Sequence, residues 1–111
     1  MNTRQAKYNA FRKLRSTSIH DHDNGSVSVK FYDTHIVEFN DETITLNTGG
    51  WYTPITKNRM NRASDLFGLG YHVFQKDNAW YCTKGDDIYE FNPGRQKAMF
   101  SRKAHCINMD R

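Results

Sequence analysis

Asn47-Thr48-Gly49-Gly50-Trp51-Tyr52-Thr53-Pro54, residues 47–54, is the junction from which the fold can be read. Paired glycines reach backbone dihedrals closed to other residues, so they end the extended segment that precedes them. Thr53-Pro54 has the form of a helix N-cap followed by proline at the first helical position. Downstream, Met60, Ala63 and Phe67 recur at i, i+3 and i+7, and Gly68 supplies a stop, which predicts a helix over 54–67. Upstream, Val27, Val29 and Phe31 alternate with Ser28 and Lys30, Val37 and Phe39 share a face, and Ile44 and Leu46 share another. Turns at Asp33-Thr34 and Asp41-Glu42 join these three strands into an antiparallel meander.

Beyond Gly68, strands are predicted at 71–76, 79–83 and 87–91, with Asp77-Asn78 as a hairpin turn and Val73 and Tyr81 inward. Connections this short exclude parallel crossovers. The expected class is α+β: one antiparallel sheet in β-β-β-α-β-β-β order with a central packed helix. Ala6, Ala10, Phe11 and Leu14 give residues 2–15 a helical stripe, interrupted by Lys7, and this helix is read as peripheral. The expected organisation is a basic N-terminal helix and linker over 1–20 and a single domain over 25–92. Residues 93–111 are read as a basic C-terminal tail after Pro93-Gly94, helical or loose.

The chain has 111 residues, 37% hydrophobic and 14% aromatic, so large rings must fill much of the core. No run approaches the roughly 18 apolar residues of a membrane span. The basic N-terminus is followed by no apolar stretch, which argues against a secretory signal. Cys82 and Cys106 suggest neither a disulfide framework nor a zinc knuckle, which points to the cytoplasm of a cell. Cys82 is read as a small strand hydrophobe.

The net charge of +4 is segregated. Residues 1–20 carry five cations and no carboxylate, and 21–50 carry one cation and six carboxylates. Residues 51–76 return to basic, 77–92 to acidic, and 93–111 to basic. Basic ends permit a polyanionic partner without requiring one.

The stretch 47–62 concentrates glycines, hydroxyls, the rings of Trp51 and Tyr52, and the cations Lys57, Arg59 and Arg62. Free amides at a helix start attract anions, and Lys57 in the first turns opposes the helix dipole unless an anion is near. The spacing is not that of a phosphate loop. On a helical wheel Lys57, Asn58 and Asn61 face away from the core, whereas Arg59 falls near the apolar face. Arg59 is therefore read first as pairing with an inward carboxylate such as Glu38, and Arg62 as the better ligand contact. Aromatics interleaved with cations, at Lys30-Phe31-Tyr32, Trp51-Tyr52, Phe74-Gln75-Lys76 and Trp80-Tyr81, are what stacking on a single nucleic-acid strand needs, although with hydrophobics this scarce most of these rings are read as core. His20-Asp21-His22-Asp23 has metal-like composition, but adjacent residues of one loop cannot converge on one ion. No metal, cofactor or catalytic constellation is expected, and the chain is read as a non-enzyme.

Three stretches carry a resemblance. Residues 32–37, 45–53 and 56–61, with Gly68 to Trp80 after them, resemble a family of small bacteriophage proteins of undefined function. The shared pattern is LNTGGWxTxxTKxRMN at 46–61 and GLGYxVFQKxxxW at 68–80. The resemblance spans about residues 30–82, implies a viral origin and an accessory role, and leaves the two ends as additions particular to this chain. The leading expectation is a phage-type accessory protein in the host cytoplasm. It would bind DNA or RNA, or a nucleic-acid-bearing complex, through a basic aromatic face of Trp51, Tyr52, Lys57, Arg59, Arg62, Lys30 and Lys76. The alternative is binding and inhibition of a host defence or replication protein. An exposed apolar or aromatic patch, in place of a continuous basic one, is the feature that separates the alternative from the leading reading.

Overall fold

The alternation read at residues 27–47 forms three strands of the main sheet in the computed structural model, which describes residues 3–91 and 97–102. They are β2 (Val27–Phe31), β3 (Thr34–Phe39) and β4 (Thr43–Asn47), all antiparallel neighbours. The register slips once: Val29 faces Val37 while Lys30 faces His35, so Ile36 is an extra residue in a bulge. The bulge turns both Ile36 and Val37 into the core, where each is fully buried. The β2–β3 turn is Tyr32-Asp33, one residue earlier than the sequence suggested, because Phe31 pairs directly with Thr34. Tyr32 adopts a positive φ of 53° there, and its ring is thrown outward.

Two strands join where the sequence predicted a loop and a tail. β1 (Thr17–Asp21) pairs with β2, and β8 (Lys97–Ser101) pairs with β4, giving the order β1-β2-β3-β4-β8. β1 has one apolar residue, Ile19, which packs against the core from an edge position. In β8 the alternation is plain: Ala98 and Phe100 are buried and Met99 is exposed. Residues 92–96, which include Pro93-Gly94, and residues 103–111, which include Cys106, lie outside the described residues.

The second strand block forms its own three-stranded sheet instead of extending the first. β5 (Tyr71–Lys76), β6 (Ala79–Lys84) and β7 (Asp87–Glu90) are consecutive hairpins. Asp77 and Asn78 both have positive φ, 52° and 69°, the pairing that matches a two-residue hairpin to strand twist. Phe100 of β8 stacks on Tyr89 at 4.9 Å and meets Tyr71 edge-on at 6.0 Å, so the two sheets share one core.

α2 (Pro54–Phe67) starts and stops as its sequence signals require. The Thr53 hydroxyl accepts from the Thr56 amide, Pro54 occupies the first turn, and Gly68 closes in the left-handed region at φ 66°. Met60, Ala63 and Leu66 are buried, and Phe67 is half-buried against Phe39. The sequence reading turned Lys57 and Asn61 to solvent, and the structure corrects this. Asn61 Nδ2 donates to Val73 O at 2.9 Å while its Oδ1 accepts from Val73 N at 2.7 Å. One turn on, Ser64 Oγ donates to Tyr71 O at 2.8 Å and accepts from Tyr71 N at 3.0 Å. One side of α2 therefore acts as a neighbouring strand for the edge of β5. It pairs backbone groups that burial would otherwise leave unsatisfied. The helix thereby occupies the β5 edge, one of the two at which a further strand could add to the second sheet.

α1 (Thr3–Arg12) ends earlier than the stripe suggested and is less peripheral. Phe11 is 2% exposed in the core, with Tyr8 and Leu14 packed against it.

Cys82 is a buried strand residue. Desolvation pushes its thiol up to about 12, against smaller lowering from the His72 backbone and Lys84. Burial also raises the Tyr71 phenol, with Cys82 a lesser cause. Both folded values lie above their unfolded ones, so this contribution to stability is complete below the ordinary thiol range. It is lost as pH rises from that range through about 12, as the unfolded chain ionises. Alkylation at pH 8 with site mapping is expected to leave Cys82 unlabelled in the folded protein and labelled in urea. Rapid labelling without denaturant would contradict the burial.

Candidate functional site

Loop 48–53 is built so that its rings stand out. Asn47 Oδ1 accepts from Gly49 N at 2.9 Å, Thr48 Oγ1 from Gly50 N at 3.2 Å, and Thr48 O from Trp51 N at 2.8 Å. Thr48 itself is fully buried and anchors the turn. Gly49 has φ +60°, and a Cβ there would lie 2.6 Å from both Cγ2 and Oγ1 of Thr34. The glycine thus lets this loop press against the start of β3, beside the Tyr32-Asp33 turn. Gly49→Ala adds a backbone penalty and a clash, and is expected to lower stability by about 1–3 kcal/mol in a urea titration. A loss below about 0.5 kcal/mol would show that the close approach is not required.

That approach sets Trp51 against Tyr32, ring centroids 5.6 Å apart and 24° from parallel. Trp51 is 44% exposed and Tyr32 53%. Tyr52, 40% exposed, meets the buried Trp80 edge-on at 5.2 Å, and Trp80 in turn meets Phe91 edge-on at 6.0 Å. Ile55, in the first turn of α2, is 52% exposed. Among the described residues six large hydrophobics are exposed: these four, with Ile88 and Met99 on the outer faces of the two sheets. Three of the six fall within residues 51–55 and the fourth, Tyr32, stacks on Trp51, whereas isolated exposed apolar residues are ordinary.

The seven residues expected to form one basic aromatic face do not all meet. Trp51 and Tyr52 are neighbours in the loop, with Lys57 on the Trp80 side next to Tyr52 and Arg59 on the Phe31 side next to Tyr32. Lys57 Nζ donates to Gln75 Oε1 at 3.2 Å and lies 5.4 Å from the Trp80 ring centre. Arg59 lies over Phe31 at 5.9 Å, its Nε donating to Thr17 Oγ1 at 3.0 Å and its Nη1 to Asn58 Oδ1 at 2.8 Å. These partners are neutral, so the expected pairing with Glu38 is corrected: Glu38 is exposed and faces Ser28 across β2–β3. Burial, then the charge of Arg62, lowers the Arg59 pKa, and a guanidinium nevertheless keeps its charge.

The remaining three cations lie elsewhere. Lys30 follows the outer face of the main sheet, opposite Ser18 and His35, because neighbours along a strand alternate and Phe31 faces inward. Lys76 is on the far face of the second sheet with Phe74, Tyr81 and Ile88. Arg62 lines a recess between α1 and α2 with Ala10 and Asp65. Tyr32 and Trp80, read from the sequence only as possible stacking rings, lie against Trp51 and Tyr52, and Ile55, which the sequence did not single out, is exposed in the next helical turn.

The two histidines of the His20-Asp21-His22-Asp23 stretch, and His35 of β3, meet serines. His22 Nε2 and His35 Nδ1 lie 2.8 and 3.1 Å from the buried Ser28 Oγ, and His20 Nε2 lies 2.8 Å from Ser18 Oγ. Among the described residues no group of three or more His, Cys, Asp or Glu is placed to hold a metal ion. No described helix is long and apolar enough to cross a membrane.

A family model described as Kyanoviridae Gp96 protein matches residues 1–100. The chain belongs to the Kyanoviridae Gp96 phage protein family. The match covers α1 and nearly all of β8, so these elements are part of the family's domain and not additions to a core at 30–82. No curated protein and no solved structure matches the chain.

Proposed function

We propose that this phage protein is a non-catalytic docking module that engages a protein of the infected host cell through Tyr32, Trp51, Tyr52 and Ile55. The observation that carries the reading is the gathering of four exposed large hydrophobics at one junction. Trp and Tyr are the side chains that most often dominate binding energy at protein interfaces. Lys57 and Arg59 add cations at the rim, held by neutral groups of the same molecule. By occupying a functional surface of a defence or replication factor, such a module acts without chemistry of its own.

Binding to DNA or RNA has less support. The named cations are spread over four surfaces, and residues 77–92, which include β6 and β7, hold four carboxylates and one lysine. Phosphate tracking needs a continuous basic groove. The deciding experiment is capture from host lysate with and without nuclease, using wild-type protein and a Trp51→Ala/Ile55→Asp variant. A nuclease-resistant partner retained by wild type and lost by the variant is expected. Capture that nuclease abolishes, with short single strands binding at about 50 mM salt and weakening steeply as salt rises, would transfer the function to nucleic acid.

A further inference from the structure

Next to the exposed patch is a recess of about 320 Å3 whose inner surfaces are the rings of Tyr52, Trp80 and Phe91. The two ring contacts are close to perpendicular, 90° between Tyr52 and Trp80 and 81° between Trp80 and Phe91, so the rings stand as walls and floor instead of a flat stack. Gln75 and Asn78 supply amides, and Glu90 is the one formally charged residue lining it. Asp77 lies in the turn beside Asn78, and Lys57 is the cation nearest the Trp80 ring. Ring faces are the negative pole of the aromatic quadrupole, and rings at right angles beside a carboxylate form the arrangement that holds an organic cation. One ammonium already uses this indole: Lys57 Nζ lies 5.4 Å from its centre, held to the side by Gln75.

The geometry points to a cage for a cationic side chain, and we propose that an arginine or lysine of the protein partner enters it while the partner's apolar surface covers Trp51 and Ile55. This deepens the docking reading and rests on it for the identity of the occupant. Trp80 and Phe91 are buried and fixed as the interior of the cage, 4% and 2% exposed, whereas Tyr52 is exposed and forms its outer wall.

The test does not need the partner. The full chain is titrated with N-acetyl-arginine methylamide, the lysine analogue, and the uncharged norleucine analogue. Binding is read from the indole N–H resonances, with Trp51→Phe distinguishing Trp80 from Trp51. The cationic probes are expected to shift the Trp80 signal saturably, and norleucine to bind at least about tenfold more weakly. Glu90→Gln is expected to weaken the arginine probe roughly threefold, and Glu90→Lys about tenfold or more, with thermal midpoints unchanged because Glu90 is exposed. An equal response to norleucine, no saturable shift at Trp80, or indifference to Glu90→Lys would each overturn the cage. Failure of the docking reading is separable: it shows as capture insensitive to the Trp51→Ala/Ile55→Asp variant, whatever the probes do.

Discussion

Asn61→Ala is expected to destabilise the protein by about 2–4 kcal/mol, and the Asn61→Ala/Ser64→Ala pair by more, though less than the sum of the two. The reason lies in what is left behind. Asn61 holds both backbone groups of Val73 and Ser64 both of Tyr71, so each substitution leaves an N–H and a C=O of β5 with no partner. A lost hydrogen bond is worth about 1 kcal/mol, but each buried group left unsatisfied adds its own desolvation penalty of about 1–3 kcal/mol. Single domains have only about 5–15 kcal/mol in hand, so the pair should bring the protein close to unfolding at room temperature. Urea titration gives the free energies, and hydrogen exchange at the Val73 amide locates the effect. A loss under about 0.5 kcal/mol with Val73 still protected would mean that α2 does not act as the neighbour of β5.

The second large effect concerns binding. Against the partner recovered by capture, Trp51→Ala is expected to weaken affinity by about 2 kcal/mol or more, roughly thirtyfold, and Tyr32→Ala by about 1–2 kcal/mol. Each ring is the other's stacking neighbour, so the double variant should lose less than the sum. Folding should change little, because both rings are about half exposed. Lys30→Ala and Lys76→Ala, on the outer sheet faces, should leave affinity within a factor of about two. Titration calorimetry of the purified pair checks this. A larger loss from the two lysines than from the two rings would place the interface on another surface.

How much of this could be read in advance follows from where each residue draws its environment. α2 was legible to the residue because its boundaries are local chemistry: Thr53 as cap, Pro54 in the first turn, Gly68 as stop. Val29, Phe31, Ile44 and Leu46 announced themselves by period-2 alternation. β1 did not, since an edge strand reading TSIHD offers a single apolar residue and takes its structure from β2. The separation into two sheets was hidden for a similar reason. The β5 edge is covered by Asn61 and Ser64 of α2, and a helical wheel scores both simply as polar. For the site, Trp51, Tyr52 and Lys57 were legible from the density of the 47–62 stretch. Arg59 was placed near the apolar face correctly but given a carboxylate partner, whereas folding brought it the hydroxyl of Thr17, 42 positions away. The single basic face was an artefact of reading in one dimension. Lys30 and Phe31 are adjacent in sequence and on opposite sides of the sheet.

Oxidative footprinting of the chain free and partner-bound asks most directly whether the junction patch is where this protein acts. Side chains are modified in proportion to exposure, and Tyr32, Trp51, Tyr52, Ile55, Ile88 and Met99 all start exposed. The docking account requires protection of Tyr32, Trp51 and Tyr52 on complex formation, with Met99 and Ile88 modified as before. Protection centred on Met99 or Ile88, with the rings of the junction still reactive, would contradict it.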